Sequence, residues 1–319
     1  MYENIPSYLK EFLNYLLVIQ GKSDTTVQGY YYDLRTFLRF VKLHNHLTDD
    51  TLFEEIEISD VPIDLIGAIS ISDLYEYLSF VNRSKNNQAK ARARKVSCLR
   101  SFFKYLHNKA GLIDSNPTLD LETPKVGKTQ PVYLTLEESK KLLSAINSTK
   151  SQYWERDLCL IVLFLNCGMR LSEMVGIDIK DIRGDIIVIT GKGNKQRTVY
   201  LNSACTVAIE NYLRVRPNEG LSPADRDALF ISRAHKRISA TMVEKIVKKY
   251  IEIAGLDTEK YSPHKLRHTA ATLLYKYGEV DIRILQEILG HENLSTTQIY
   301  THLDNQQLRK AVNKHPLGN

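Results

Sequence analysis

At 319 residues the chain exceeds what one ordinary core accommodates, and two domains of roughly 100–200 residues each are expected. Its 43% hydrophobic and 25% charged residues, with no low-complexity tract, exclude extensive disorder. A net charge of +6 and a pI near 8.9 favour a polyanionic partner, and the apolar run 158–169 is too short to span a bilayer.

In chain order, Tyr8, Phe12, Tyr15, Leu16 and Ile19 recur at helical spacing, and Gly21 ends this first helix. The same stretch lacks a basic start followed by an apolar run, so no signal peptide is read and a cytoplasmic protein is expected. The run Ser23, Asp24, Thr25, Thr26 offers cap groups to a second helix with Val27, Tyr30, Leu34, Phe37, Leu38 and Val41 on one face. Thr25, Thr26 and Tyr30 fit either capping and core packing or contact with a DNA phosphate at the helix N-terminus. Residues 44–70 are acidic, weakly periodic and broken by Pro62 and Gly67, which predicts a loop with a short helical piece. A third helix starts near Ser72 with Leu74, Tyr77, Leu78 and Val81 inward.

Between Arg83 and Lys109 there are nine basic residues and no acidic one. The run enters a fourth helix whose buried stripe is Val96, Leu99, Phe102, Phe103 and Leu106, preceded by Lys90, Arg94 and Lys95. A solvated helix face normally interleaves both signs, whereas this one lacks a compensating acid and calls for a polyanion. Residues 1–115 therefore read as an all-helical DNA-binding module. Three prolines and a glycine between Ile113 and Pro131 predict an extended linker.

The second domain opens with Thr135 and Glu138 in a capping-box spacing, followed by Leu142, Leu143 and Ile146. A nearly all-apolar helix then ends at Gly168, and Arg170 emerges at the start of the next one. An arginine there is costly unless it binds an anion. Two short alternating segments, 185–190 and 196–201, predict a β-hairpin whose glycine-rich tip carries Lys192 and Lys195. After Leu201 the chain reads as helical again, with Lys236 and Arg237 of a basic surface segment offered to DNA backbone. The four cysteines, Cys98, Cys159, Cys167 and Cys205, have no metal-ligand spacing and read as buried thiols.

The stretch 262–302 holds His264 and Arg267 one helical turn apart, then His291, then Tyr300. Cleaving a phosphodiester without hydrolysis needs cations around the non-bridging oxygens, and Arg170 and Arg267 suit that role. It also needs a nucleophile, for which Tyr300 serves, and an acid for the leaving hydroxyl, which a lysine of the hairpin tip can supply. His264 and His291 can move protons or donate hydrogen bonds to the phosphate. Each signal alone is weak, since either histidine suits a structural role and Tyr300 is one of 18 tyrosines.

The joint order GMRLSE at 168–173, GKGNKQR at 191–197, HKLRH at 264–268 and LGHENLSTTQIYTH at 289–302 resembles the tyrosine recombinase (phage integrase) family, and within it the Xer-like branch. The resemblance implies a mainly α, multidomain chain. An all-α core-binding (SAM-like) domain over 1–115 and a linker over 116–133 precede a mostly α catalytic domain with a small antiparallel β-sheet over 134–319. It implies Arg170, Arg267 and His291 as phosphate ligands, His264 as proton-transfer partner, Lys192 as general acid with Lys195 as its rival, and Tyr300 as nucleophile. Glu173 would orient the arginine. The implied activity is site-specific recombination through a 3′-phosphotyrosyl intermediate and a Holliday junction, with no cofactor, in the service of chromosome dimer resolution. Integrase of a mobile element, type IB topoisomerase and non-catalytic DNA-binding regulator are the alternatives. The implied partners are double-stranded DNA, further copies in a tetramer or a partner recombinase, and a septal DNA translocase, with no membrane and a nucleoid-associated cytoplasmic location. The tail apolar positions Leu303, Leu308, Val312 and Leu317 resemble a C-terminal helix that docks on a neighbouring subunit.

Overall fold

The computed structural model describes residues 4–48, 52–84, 89–125, 127, 131–190, 196–278 and 280–290. Lys192, Lys195, His291, Tyr300 and the tail lie outside the described residues. The chain forms two compact units, Met1–Lys128 and Thr129–Asn319. It is mainly helical with a three-stranded antiparallel sheet, the expected fold class.

In the first unit, α1 (Ser7–Asn14) runs into a π-helical turn over Tyr15–Ile19, and Gly21 takes the left-handed φ of +58° that favours glycine. Tyr8, Leu9, Phe12, Leu13 and Leu16 are buried, but Ile19 is 72% exposed. The wider π turn rotates the stripe, so the expected inward position of Ile19 is corrected to solvent. Helix α2 (Asp24–His44) is capped by Ser23, whose Oγ accepts from the Thr26 amide.

The acidic stretch that follows is better built than its sequence suggests. It holds a 3-10 turn at Phe53–Glu55 and helix α3 (Ile63–Gly67), and buries Ile56, Ile58, Val61, Ile66 and Ile69. Its acids close onto α2: Arg39 Nη1 lies 2.9 Å from Glu54 Oε2, and Lys42 Nζ lies 2.8 Å from Asp60. Helices α4 (Ile71–Ser84) and α5 (Ala89–Asn108) complete the layer. The predicted α5 stripe is fully inward, and burying each such side chain is worth about 1.5–3 kcal/mol. Ile113, Thr118 and Leu121 are also buried in this unit, so the stretch expected to be a free linker is packed at least as far as Leu121.

In the second unit, α6 (Leu136–Thr149) starts with the expected capping box: Thr135 Oγ1 accepts from the Glu138 amide, and Glu138 Oε2 accepts from the Thr135 amide at 2.7 Å. Helix α7 (Trp154–Cys167) is buried almost all round because it is the central rod of this unit. It packs against α6, α9 (Ser203–Val215) and α11 (Pro263–Tyr277). Gly168 ends α7 at φ +58°, and a Cβ there would sit 2.8 Å from Leu289 Cδ2, so both backbone and space require glycine. Helix α8 (Leu171–Gly176) follows.

The sheet runs β1 (Ile182–Arg183), β2 (Ile186–Thr190) and β3 (Gln196–Tyr200) in order, all antiparallel. Strand β1 is two residues long, too short for alternation to show in sequence. After α9, residues 216–239 hold no helix, contrary to the expectation of continued helix. Arg216, 5% exposed, organises that loop by donating to the carbonyls of Arg226, Ala228 and Leu229. Helices α10 (Ala240–Ile253) and α12 (Ile282–Leu289) complete the unit. The four cysteines are buried free thiols, and no helix among the described residues is long and apolar enough to cross a membrane.

Candidate active site and nucleic-acid interface

Arg170 and Arg267 arrive from separate helices and meet around one carboxylate. Arg170 is the N-cap residue of α8, and its backbone amide and Nη1 both donate to Glu173, at 2.8 and 2.6 Å. The anion that Arg170 requires at the end of the apolar helix is thus supplied three residues later by the protein itself. Arg267 lies on the buried side of α11, with Nη1 3.9 Å from Glu173 Oε2.

The same two guanidiniums hold the end of α12. Arg170 Nη2 donates to the Gly290 carbonyl at 2.9 Å, and Arg267 donates to the carbonyls of Leu289 at 2.7 Å and Gly168 at 2.6 Å. Unsatisfied carbonyls at a helix C-terminus carry partial negative charge, so two cations there complement both the carbonyls and the dipole. Position 291 follows directly in the chain. Side-chain exposure differs sharply: 39% for Arg170, 6% for Arg267 and 2% for Glu173. The carboxylate is sealed inside, and Arg170 carries charge to the surface.

Burial by itself would raise the Glu173 carboxyl pKa. The Arg170 amide, the charge of Arg197 and the side-chain bonds from Arg197 and Arg170 outweigh it and hold the carboxyl below its usual range. Glu173 therefore stays ionised at neutral pH, which keeps the arginine cluster in place.

His264 occupies the first turn of α11, behind Ser262 as N-cap and Pro263. Its Nε2 lies 3.0 Å from His268 Nε2, so one ring must present N–H and the other a bare nitrogen. Burial first, then the charges of Lys265 and Arg267, lower the His264 pKa, which favours the neutral imidazole near pH 7. His268, one turn on, was not singled out in the sequence. The signal for it was the i, i+4 repeat of histidine in HKLRH.

Strand β3 contributes another residue that the motif reading passes over. Arg197 lies in alternation with the buried Val199, and its Nη2 is 3.0 Å from Glu173 Oε2. Its Nη1 donates to the Ile288 carbonyl at 2.5 Å. The available signal was a charged residue at the inward phase of an alternating strand. Thr190 and Gln196 are paired at the ends of β2 and β3, and Lys192 and Lys195 fall between them in the sequence.

In the first unit the structure joins the two groups of residues expected to meet DNA. Gly29 of α2 approaches Arg94 of α5, and Asp33 of α2 is ion-paired to both Arg94 and Lys95. This corrects the reading of an uncompensated basic run: the acid comes from a different helix, 62 positions away from Lys95. Lys95 is 6% exposed, with Nζ 2.8 Å from Asp33 Oδ1, which makes it a buried ion-pair partner and not a surface cation. Lys90 and Arg94 are exposed, as is Thr25. Thr26 shares a hydroxyl contact of 2.9 Å with Ser23, and Tyr30 is half-buried against Phe12. In the second unit Lys236 is exposed, but Arg237 is turned inward. Its Nη2 is 2.5 Å from Asp178 Oδ1, and its Nη1 donates to the carbonyls of Val175 and Ile177. The expected offer of Arg237 to DNA is corrected accordingly, since its donors tie the 216–239 loop to the end of α8.

The pattern of the phage integrase family matches residues 132–307. The chain is 56% identical over 314 residues to tyrosine recombinase XerC of Caldanaerobacter subterraneus subsp. tengcongensis, covering 98% of this chain and 88% of that one. The fold is shared with the crystal structure of XerH site-specific recombinase bound to palindromic difH substrate, at a TM-score of 0.71 and 24% identity over 98% of each chain. A lambda integrase tetramer bound to a Holliday junction shares it at a TM-score of 0.62 and 18% identity, over 90% of this chain and 77% of that one. With the family pattern covering more than half its length and so similar a relative along nearly all of it, the chain belongs to the phage integrase family, among its Xer-like tyrosine recombinases.

Proposed function

We propose that the chain is a site-specific DNA recombinase that cuts and rejoins strands through a 3′-phosphotyrosyl intermediate. Tyr300 is the nucleophile: its phenolic oxygen attacks the scissile phosphorus and the 5′ oxygen leaves, taking a proton from Lys192. Arg170 and Arg267 bind the non-bridging oxygens as charge builds on them, with His291 as a further hydrogen-bond donor. His264, held neutral, exchanges the proton of the attacking hydroxyl. The covalent linkage conserves the bond energy, so the reverse attack by a 5′ hydroxyl of a second duplex rejoins the strands.

The observation that carries this reading is the convergence of Arg170 and Arg267 on Glu173 and on the carbonyls of Leu289 and Gly290, immediately before the stretch 291–302. Residues 1–115 form the core-binding domain and 134–319 the catalytic domain. Lys90, Arg94 and Lys236 are the candidate phosphate contacts, with Thr25 and Thr26 at the start of α2. Copies of the chain assemble as a tetramer on two duplexes and pass through a Holliday junction. The work is placed in the cytoplasm on the nucleoid, in chromosome dimer resolution, with a septal DNA translocase as the partner that role brings.

A nicked suicide substrate tests the chemistry. The wild-type chain should accumulate a covalent DNA adduct, and Tyr300→Phe should lose it while still binding duplex. An adduct that persists in Tyr300→Phe removes Tyr300 as nucleophile. Relaxation of supercoiled plasmid without any site requirement would favour a topoisomerase instead.

A further inference from the structure

Arg197 closes the GKGNKQR run at 191–197, where it was given no role of its own, yet it joins three segments of the candidate site. Its guanidinium bridges Glu173 of α8 and the Ile288 carbonyl at the end of α12, while its backbone is part of β3. Gly290 packs against its side chain: a Cβ at position 290 would lie 2.6 Å from Arg197 Cδ and 2.9 Å from Nε. The Nε atom is buried with no hydrogen-bond partner among the described residues, an unfavourable arrangement that the two Nη contacts outweigh. The side chain is 15% exposed, against 39% for Arg170. Arg197 and Arg267, at 15% and 6%, are therefore the cations of this cluster that face the protein, and Arg170 is the one that reaches solvent.

We propose that Arg197 is a positioning residue for strand cleavage, acting through Glu173 and through the chain that leads into His291. The proposal rests on the recombinase reading. Glu173 carries one negative charge and must hold Arg170 in place without neutralising it. With Arg197 bonded to Oε2 at 3.0 Å, the carboxylate is balanced from inside the protein, and Arg170, its exposed partner, keeps its outward charge for the phosphate. The Ile288 bond acts on the backbone two residues before Gly290, whose carbonyl already accepts from Arg170. Removing Arg197 thus changes both the charge that balances Glu173 and the hold on the C-terminal end of α12. Outer-shell partners of metal ligands alter activity by about 10- to 100-fold, and an effect of that order is expected for Arg197.

Single-turnover adduct formation on a nicked suicide substrate at saturating DNA tests this, together with duplex affinity and the double-mutant cycle with Glu173→Gln. Arg197→Ala should slow adduct formation by about 10- to 100-fold while duplex affinity stays within about two-fold, a loss in rate and not in binding. Arg197→Lys keeps the charge but cannot bridge Glu173 and Ile288 with a fork, so its rate should fall between those of the wild type and Arg197→Ala. If Arg197 acts through Glu173, the double variant should be no slower than the slower single one. A wild-type rate in Arg197→Ala, a defect confined to duplex affinity, or full additivity with Glu173→Gln overturns the proposal. Should Arg197→Ala fail to fold, Arg197→Lys decides: a wild-type rate there overturns it as well. A wild-type chain that forms no adduct at all defeats the recombinase reading itself, and the inference with it.

Discussion

Each unit of this protein builds a cluster of cations on a buried carboxylate, and in each some of the cations are sealed and one is presented to solvent. In the first, Asp33 is 4% exposed at its side chain and Lys95 only 7%, so that pair is sealed between α2 and α5, while Arg94 on the same carboxylate stays 57% exposed. In the second, Glu173 is sealed at 2% while its partner Arg170 stays 39% exposed. A pair whose members are both buried ties two helices together and offers nothing to a ligand. An arginine held from behind by a buried acid presents an oriented charge outward. The chemistry of the pairs is similar, and exposure separates the structural Asp33–Lys95 pair from the presented guanidiniums of Arg94 and Arg170.

That contrast can be broken at four points. Asp33→Ala leaves Lys95 buried without its anion and should destabilise the first unit by about 3–5 kcal/mol, measured by urea unfolding followed by far-UV circular dichroism. A change below 1 kcal/mol would mean that Lys95 escapes to water and that the pair is not structural. Arg170→Ala should slow adduct formation by about 100- to 1000-fold with little change in melting temperature, because the lost cation faces the substrate. If stability falls as far as it does in Asp33→Ala, the two clusters are alike after all. Gly290→Ala places a Cβ against Arg197 at a residue with φ of +63°, and should cost about 1–2 kcal/mol in the second unit. Thermal unfolding of the variant checks it, and an unchanged transition would show that Arg197 yields freely. The smallest effect is expected from Lys90→Ala on the exposed face of α5: unchanged folding, and a salt dependence of duplex affinity shallower by about one unit in log–log slope. An unaltered slope would place that face away from DNA.

Local pattern made much of the fold legible. The stripes of α2, α4 and α5, the Thr135 capping box, the left-handed stop at Gly168 and the β2–β3 hairpin each depend on residues within a few positions of one another. The motif residues Arg170, His264 and Arg267 were legible for a different reason, their joint order along the chain. Local pattern misleads where a charge finds its partner across the fold. The basic run around Lys95 seemed to lack an acid because Asp33 stands 62 positions away, and Arg237 seemed available because Asp178 stands 59 positions away. Ile19 was misplaced by a π turn, which shifts the helical phase without any mark in the apolar spacing.

By itself, then, the sequence determined where the hairpin lies, which family the chain resembles, which side chains are chemically fit to handle a phosphodiester, and most of the helices, though not the break at 216–239. Periodicity and spacing suffice for that, because backbone hydrogen bonding and capping act over three or four residues. The tertiary structure decided which cations are sealed and which are presented, and that Arg197 joins Arg170 and Arg267 at Glu173. Those outcomes depend on closure between α8, β3, α11 and α12, where burial sets the strength of each charge interaction, and no local pattern encodes burial of that kind.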